Sequence, residues 1–125
     1  MKTNIKGTNI ALTEAISSYL TEKLSHIEKL LPAGDDSVIA EVELAKDTKH
    51  HLHGEVFKAE INLRAGGKNF YAVVHKQDLY AAIDLMRDEI TRQLKTGFEK
   101  KNTLLRRGGR KAKAMLRNIY WWRNK

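Results

Sequence analysis

Residues 78–105 read DLYAAIDLMRDEITRQLKTGFEKKNTLL, and this stretch decides the fold. Asp78 is a good helix cap, because its carboxylate can accept the unpaired N–H groups of a first helical turn. The apolar residues that follow recur at steps of three and four, which is the spacing of one helix face. They are Leu79, Ile83, Met86, Ile90 and Leu94. Arg92 and Lys95 fall on the opposite face, so the stretch predicts a long helix with one side for packing and one for cations.

The sequence also predicts an earlier helix, which begins after Thr13, a residue with the side chain of an N-cap. Its apolar stripe consists of Ile16, Leu20, Leu24, Ile27 and Leu31, and Pro32 and Gly34 are expected to end it. Lys23 falls inside this stripe, and two compatible interpretations stay open. Its stem covers apolar surface while its ammonium reaches solvent, or the lysine is held at the rim of the helix layer to meet a phosphate.

Alternating apolar and polar residues predict strands at 38–44, 57–64 and 70–74, with a weak strand at 2–7. The order is therefore β-α-β-β-β-α. Strands with one apolar face need helices on one side only, which gives an α+β fold of two layers. We expect a four-stranded mixed sheet with both helices on one face, in which the first two strands are parallel if they are neighbours.

Charge divides the chain of 125 residues into a body and a tail. All 15 acidic residues lie before residue 100, whereas residues 100–125 hold 10 of the 23 basic residues. We place the domain boundary after residue 103, with a folded body at 1–103 and a basic tail at 104–125. Gly97 costs about 1 kcal/mol in a helix interior, so the long helix is expected to weaken beyond Lys95.

The tail predicts a polyanionic partner. Its basic residues are followed by Tyr120, Trp121 and Trp122, and cations that neutralise phosphates together with aromatic rings that stack on bases are typical of RNA binding. Two alternatives stay open: the tryptophans dock on the body, or the tail lies on a membrane surface. The open sheet face carries Glu41, Glu43 and Glu60, so we expect RNA along the helices and the sheet edge instead.

Catalysis and cofactor binding find little support in the sequence. His50, His51 and His53 form a cluster, but no cysteine or acidic partner stands at the spacing that zinc sites use. No nucleophile motif and no phosphate-binding glycine loop is present. By spacing, the helix carboxylates Asp84 and Asp88 pair with Arg87 and Arg92, respectively, which is typical of a solvated face. We therefore expect no enzyme, no cofactor, no metal and no small-molecule substrate.

Localisation follows from three absences. The chain has no cysteine, no apolar run after its first lysines and no run of 18 apolar residues. We expect a cytoplasmic protein without a membrane partner.

Several motifs resemble those of the ribosome hibernation-promoting factors and ribosome-associated inhibitor proteins, a family that includes sigma-54 modulation proteins. They are residues 78–84 (DLYAAID), residues 92–94 (RQL), residues 13–16 (TEAI) and Lys23. The resemblance covers about residues 2–101, and the strand order is similar as well. The tail from residue 104 has no counterpart in it, so its role rests on charge.

The resemblance implies a stress or stationary-phase protein that binds the decoding region of the small ribosomal subunit and blocks mRNA and tRNA. Its partners would be 16S rRNA and the 70S ribosome, with the free protein a monomer. The residues expected to grip rRNA are Lys23, Lys76, Arg92, Lys95, Lys100, Lys101, Arg106, Arg107, Arg110 and Lys111. The alternative is a general binder of structured or single-stranded RNA, and a third hypothesis is a metal-dependent nuclease that uses the histidine cluster.

Overall fold

The computed structural model describes residues 1–31, 37–47 and 54–107, with side chains described up to Gly97. Its elements are β1 (Lys2–Thr8), α1 (Glu14–Glu28), β2 (Ile39–Asp47), β3 (Val56–Ala65), β4 (Lys68–Lys76) and α2 (Leu79–Arg107). The predicted order β-α-β-β-β-α and the α+β class are confirmed.

One mixed sheet has the strand order β1-β2-β3-β4. β1 is parallel to β2, as its connection through α1 predicted, and the other two pairs are antiparallel. Gly66 and Gly67 form the two-residue turn between β3 and β4, with φ angles of 61° and 72°. A two-residue hairpin loop of this kind needs positive φ at both positions, which glycine adopts without steric cost.

The core lies between one face of the sheet and the two helices. The sheet contributes alternate residues, among them Ala40, Val42, Leu44, Ala59, Ile61, Leu63 and Ala72. The helices contribute Leu20, Leu24 and Ile27 from α1 and Leu79, Ile83, Met86, Ile90 and Leu94 from α2. Burying a side chain of this size stabilises a fold by about 1.5–3 kcal/mol, so the predicted helix stripes account for much of the packing.

The first helix is shorter than predicted. The hydroxyl of Thr13 accepts the N–H of Ile16 at 3.2 Å, so the predicted N-cap is confirmed. The helix ends at Glu28, and the N–H of Leu31 donates to the carbonyl of Glu28 three residues back. Leu31 stays in the core from this tighter turn. Residues 32–36, which include the expected stop signals, lie outside the described residues.

The second helix confirms the long helix predicted for residues 78–105 and ends slightly beyond it. A carboxylate oxygen of Asp78 accepts the N–H of Tyr80 at 3.1 Å, which is the predicted cap. The helix then continues through Gly97 to Arg107, past the domain boundary predicted after residue 103. Of the helices described, neither is long and apolar enough to cross a membrane.

Candidate nucleic-acid interface

Lys23 points into the helix layer. Its ammonium lies 3.6 Å from a carboxylate oxygen of Asp84 on α2 and 4.8 Å from the centre of the Tyr19 ring, and only 14% of its side chain is exposed. The stem is covered as predicted, and the ammonium pairs with the carboxylate of Asp84, whose side chain is 40% exposed. The role of Lys23 in gripping RNA stays a prediction.

Tyr19 extends the same contact between α1 and α2. Its hydroxyl donates to Asp84 at 2.6 Å, and its ring meets that of Tyr80 edge-on, with 4.9 Å between centroids. The hydrogen bond to Asp84, and then burial, raise the pKa of Tyr19 to about 12. Tyr80 remains 38% exposed, so one aromatic ring of this cluster stays open at the surface.

Arg87 also turns toward α1. Its guanidinium donates to a carboxylate oxygen of Asp88 at 3.0 and 2.8 Å and lies 3.3 Å from a ring nitrogen of His26. The pairing of Asp84 with Arg87, expected from spacing, is wrong because Asp84 serves Tyr19 and Lys23. Spacing along one helix does not show which of its carboxylates already bond to side chains of the other helix.

Arg92 is paired with Glu89. The guanidinium donates to both carboxylate oxygens, from Nε at 3.1 Å and from Nη2 at 2.6 Å. The expected pairing of Arg92 with Asp88 is therefore wrong, and the partner lies three residues back instead of four. These bonds from Arg92, and then one from Gln93, lower the pKa of Glu89 to about 2.

Gln93 forms hydrogen bonds with the backbone of one residue, Tyr71, on the free edge of β4. Its amide donates to the carbonyl of Tyr71 at 2.8 Å and accepts the N–H of Tyr71 at 3.3 Å. An edge strand leaves such backbone groups unpaired, and the glutamine amide here takes the place of a neighbouring strand. The same amide donates to Glu89 at 3.1 Å, which ties that carboxylate to the sheet.

Lys95 and Lys76 are exposed cations of a different kind. Lys95 lies one turn beyond Arg92 on the outer face of α2, and Lys76 ends β4. Among the residues whose side chains are described, no carboxylate lies within ion-pair distance of either lysine. Both are therefore available to phosphates.

The other predicted cations extend beyond the described side chains. Lys100, Lys101, Arg106 and Arg107 lie on α2, where only the backbone is described. Arg110, Lys111 and the rest of 108–125 lie outside the described residues, as does the histidine cluster at 50–53. Within the part of the chain that is described, no three histidine or acidic side chains are grouped to hold a metal.

The open sheet face is polar, as expected, and several of its side chains form hydrogen bonds with one another. Glu43 accepts from Thr8 at 2.8 Å and from Lys58 at 2.5 Å, and Tyr71 donates to Glu60 at 2.5 Å. Lys58 and then Thr8 lower the pKa of Glu43 by these bonds. On this face Lys58 and Lys6 are paired with Glu43, whereas Lys95 and Lys76 have no described carboxylate within ion-pair distance.

Sequence reasoning missed Tyr19 and Glu89. The spacing of Glu89 and Arg92 is that of neighbours on a helix and was a usable signal. The contact of Tyr19 with Asp84 joins residues 65 positions apart, and no local pattern indicates it.

Comparison with known proteins gives consistent matches. A family model described as "Sigma 54 modulation protein / S30EA ribosomal protein" matches residues 3–102. The "Ribosome hibernation promoting factor" of Pseudomonas putida is 33% identical over 109 residues, which cover 84% of this chain and 94% of the relative. That of Escherichia coli K12 is 30% identical over 95 residues, which cover 75% and 90%.

A longer relative and a solved structure match the same region. The "Ribosome hibernation promotion factor" of Picosynechococcus is 35% identical over 100 residues, which cover 80% of this chain, and the chain spans only 50% of that relative. The N-terminal domain of Thermus thermophilus Protein Y is 28% identical, with a TM-score of 0.62. The match covers 77% of this chain and 98% of that domain.

Proposed function

The chain belongs to the Sigma 54 modulation protein / S30EA ribosomal protein family, and from this membership we propose that it binds the small ribosomal subunit and blocks translation during stress. The family is one of ribosome-associated hibernation factors and not of enzymes. The proposed site is the decoding region, where the protein would occupy the path of mRNA and tRNA. Such inhibition needs no chemistry, only a site that cannot hold two ligands.

The outward face of α2 is the observation that carries this proposal. Arg92 and Lys95 are exposed there, and the same helix continues to Arg107 with four further basic residues and no acid after Glu99. A rigid helix holds its cations at fixed spacing, at about 1.5 Å of rise per residue. Fixed cations suit folded rRNA, whose phosphates are themselves fixed in space.

Salt dependence is the first test of the proposal. With roughly six to eight phosphate contacts, affinity for small subunits falls on the order of 10³-fold or more between 50 and 200 mM salt. The measurement is co-sedimentation of the purified protein with small subunits across that range. A binding curve indifferent to salt contradicts the proposal.

A matched pair of charge reversals locates the interface. Lys95→Glu places an anion on the outer face of α2, whereas Arg64→Glu makes the same change on the open sheet face. We expect Lys95→Glu to weaken subunit binding and to relieve inhibition of protein synthesis in vitro, and Arg64→Glu to leave both nearly unchanged. Equal effects of the two reversals contradict an interface on α2.

The charge of residues 100–125 favours one alternative, a general RNA-binding protein that is not dedicated to the ribosome. Sedimentation of a cell lysate separates the two functions. The proposed function predicts that the protein migrates with small subunits or 70S ribosomes, and the alternative predicts that it spreads over free RNA.

A further inference from the structure

We propose that Glu89 is a positioning residue that controls Arg92, so that Arg92 meets an RNA phosphate with its charge already offset by its carboxylate partner. This inference rests on the proposed function and deepens it. Of the two cations on the outer face of α2 whose side chains are described, Arg92 is masked and Lys95 is open.

The contact between Glu89 and Arg92 is more than a chance surface pair. Both carboxylate oxygens are used, at 2.6 and 3.1 Å, which fixes the plane of the guanidinium as well as its position. Arg92 is nevertheless 65% exposed and Glu89 39% exposed, so an incoming phosphate can reach the pair from solvent. The arginine is thus held but accessible.

Gln93 fixes the carboxylate of Glu89 from the other side. Its amide donates to Glu89 at 3.1 Å and is itself bonded to both backbone groups of Tyr71 on β4. An ordinary surface carboxylate loses side-chain freedom when it forms an ion pair, and that loss offsets much of the attraction. Here the sheet edge holds the carboxylate in place, so less freedom remains to be lost.

Lys95 provides the internal contrast. It lies on the same helix face, three residues beyond Arg92, and no described carboxylate lies within ion-pair distance of it. When Lys95 contacts a phosphate, it delivers a net positive charge and releases the counterion that was condensed on the RNA at that phosphate. When Arg92 does so, the negative charge of Glu89 stays beside the RNA, and the pair as a whole delivers no net charge.

The difference has a measurable consequence in the salt dependence of binding. Each neutralised phosphate adds about 0.7–0.9 to the slope of log affinity against log salt concentration. We expect Lys95 to contribute such an increment and Arg92 to contribute almost none while Glu89 is present. Glu89→Gln keeps the shape of the side chain and removes its charge, so it should add one increment.

The experiment measures this slope for small-subunit binding in six forms of the full chain: wild type, Glu89→Gln, Arg92→Gln, the double variant, Lys95→Gln and Asp88→Asn. Asp88→Asn is the control, since it makes the same charge change on α2 at a carboxylate that pairs with Arg87 instead. We expect Glu89→Gln to steepen the slope by about 0.7–0.9. Arg92→Gln should leave the wild-type slope nearly unchanged and remove the gain in the Glu89→Gln background.

Two results overturn the inference. One is an equal steepening by Glu89→Gln and Asp88→Asn, which would show that any carboxylate on α2 reduces the slope and that the pairing of Glu89 with Arg92 has no specific effect. The other is a loss of slope in Arg92→Gln as large as that in Lys95→Gln. If the wild type binds no subunits at any salt concentration, the proposed function fails and the inference falls with it. If the wild type binds but either of the two results above is found, only the inference is overturned.

A second measurement tests the position of Arg92 without the ribosome. The side-chain Nε–H of Arg92 should give a distinct NMR resonance in the free protein, because it donates a hydrogen bond to the carboxylate of Glu89. Glu89→Gln should shift that resonance to the position of an unpaired arginine, and Gln93→Ala should shift it partway. An unchanged resonance in Glu89→Gln contradicts the mask, whatever the stability of the variant.

Discussion

Tyr19 and Asp84 lie 65 residues apart in the chain and are joined by a hydrogen bond of 2.6 Å between the phenol and a carboxylate oxygen. The same carboxylate lies 3.6 Å from the ammonium of Lys23. One acidic side chain on α2 thus holds two side chains of α1 and ties the two helices together.

Replacing Asp84 should destabilise the protein. Asp84→Ala removes the acceptor of Tyr19 and leaves the ammonium of Lys23, which is largely covered, without its carboxylate. We expect a loss of about 1–2 kcal/mol in the free energy of unfolding, measured by urea denaturation. Asp88→Ala serves as the control and should cost less, because Asp88 is 58% exposed. Equal losses in the two variants contradict the role given to Asp84.

Alkaline pH should weaken the same contact. The pKa of Tyr19 is raised to about 12, so the neutral phenol is favoured by the fold. A raised pKa contributes stability that is fully present below the ordinary value of 10 and is lost as pH rises toward 12. Tyr19→Phe should therefore flatten the stability profile between pH 10 and 12, as followed by unfolding curves. A profile unchanged by that substitution would argue against the hydrogen bond.

Acid should act on the open sheet face. The pKa of Glu43 is lowered, chiefly by its hydrogen bond from Lys58, so its contribution is present above the ordinary value of 4.5 and is lost as pH falls through the lowered value. Glu43→Gln should cost about 1 kcal/mol at neutral pH and reduce the acid dependence below pH 4.5. Glu41→Gln, on the same face, is the control. We expect it to change neither quantity measurably.

Two glycines should respond to alanine in opposite directions. Gly97 lies inside α2, and among the described residues no atom beyond its chain neighbours and the nearby helix backbone lies within 4 Å of the place where an alanine Cβ would sit, so Gly97→Ala should stabilise the helix by about 0.5–1 kcal/mol. At Gly7 the added Cβ would lie 2.9 Å from Leu12 and 3.0 Å from the carbonyl of Ile10, so Gly7→Ala should destabilise the protein. Thermal unfolding followed by circular dichroism measures both. Destabilisation by Gly97→Ala would contradict a continuous α2.

The sequence predicted the elements well because their periodicity is a direct result of burial. Each residue of the predicted stripe on α2, from Leu79 to Leu94, is buried. The long helix predicted for residues 78–105 passes through Gly97, and the weakening expected beyond Lys95 does not end it, since a penalty of about 1 kcal/mol is small beside the cooperative gain of extending an existing helix. Local propensity located a weak point that the rest of the helix overcomes.

The candidate site was predicted less completely, because the sequence does not decide which carboxylate a cation pairs with: Lys23 pairs across to Asp84 on α2, and Arg92 pairs with Glu89 on its own helix. Arg92 and Lys95 share one face of α2 in the sequence pattern, yet the structure gives Arg92 a carboxylate and, among the described side chains, leaves Lys95 without one. Ion pairs between elements follow from the packing of α1 on α2, and side-chain spacing within one helix carries no information about them. Composition indicates that cations are present, and only the fold shows which of them are already occupied.

The parallel pairing of β1 with β2 has a consequence for the order of folding. Lys2 pairs with Ile39, so the chain between these two paired residues contains the whole of α1. Ala65 pairs with Lys68, and only two residues lie between them. Because the entropy lost on closing a loop grows with its length, the long closure costs roughly 2 kcal/mol more than the short one. We expect the β3–β4 hairpin to nucleate the sheet and β1 to join it late, once α1 has formed and brought the N-terminal strand within reach.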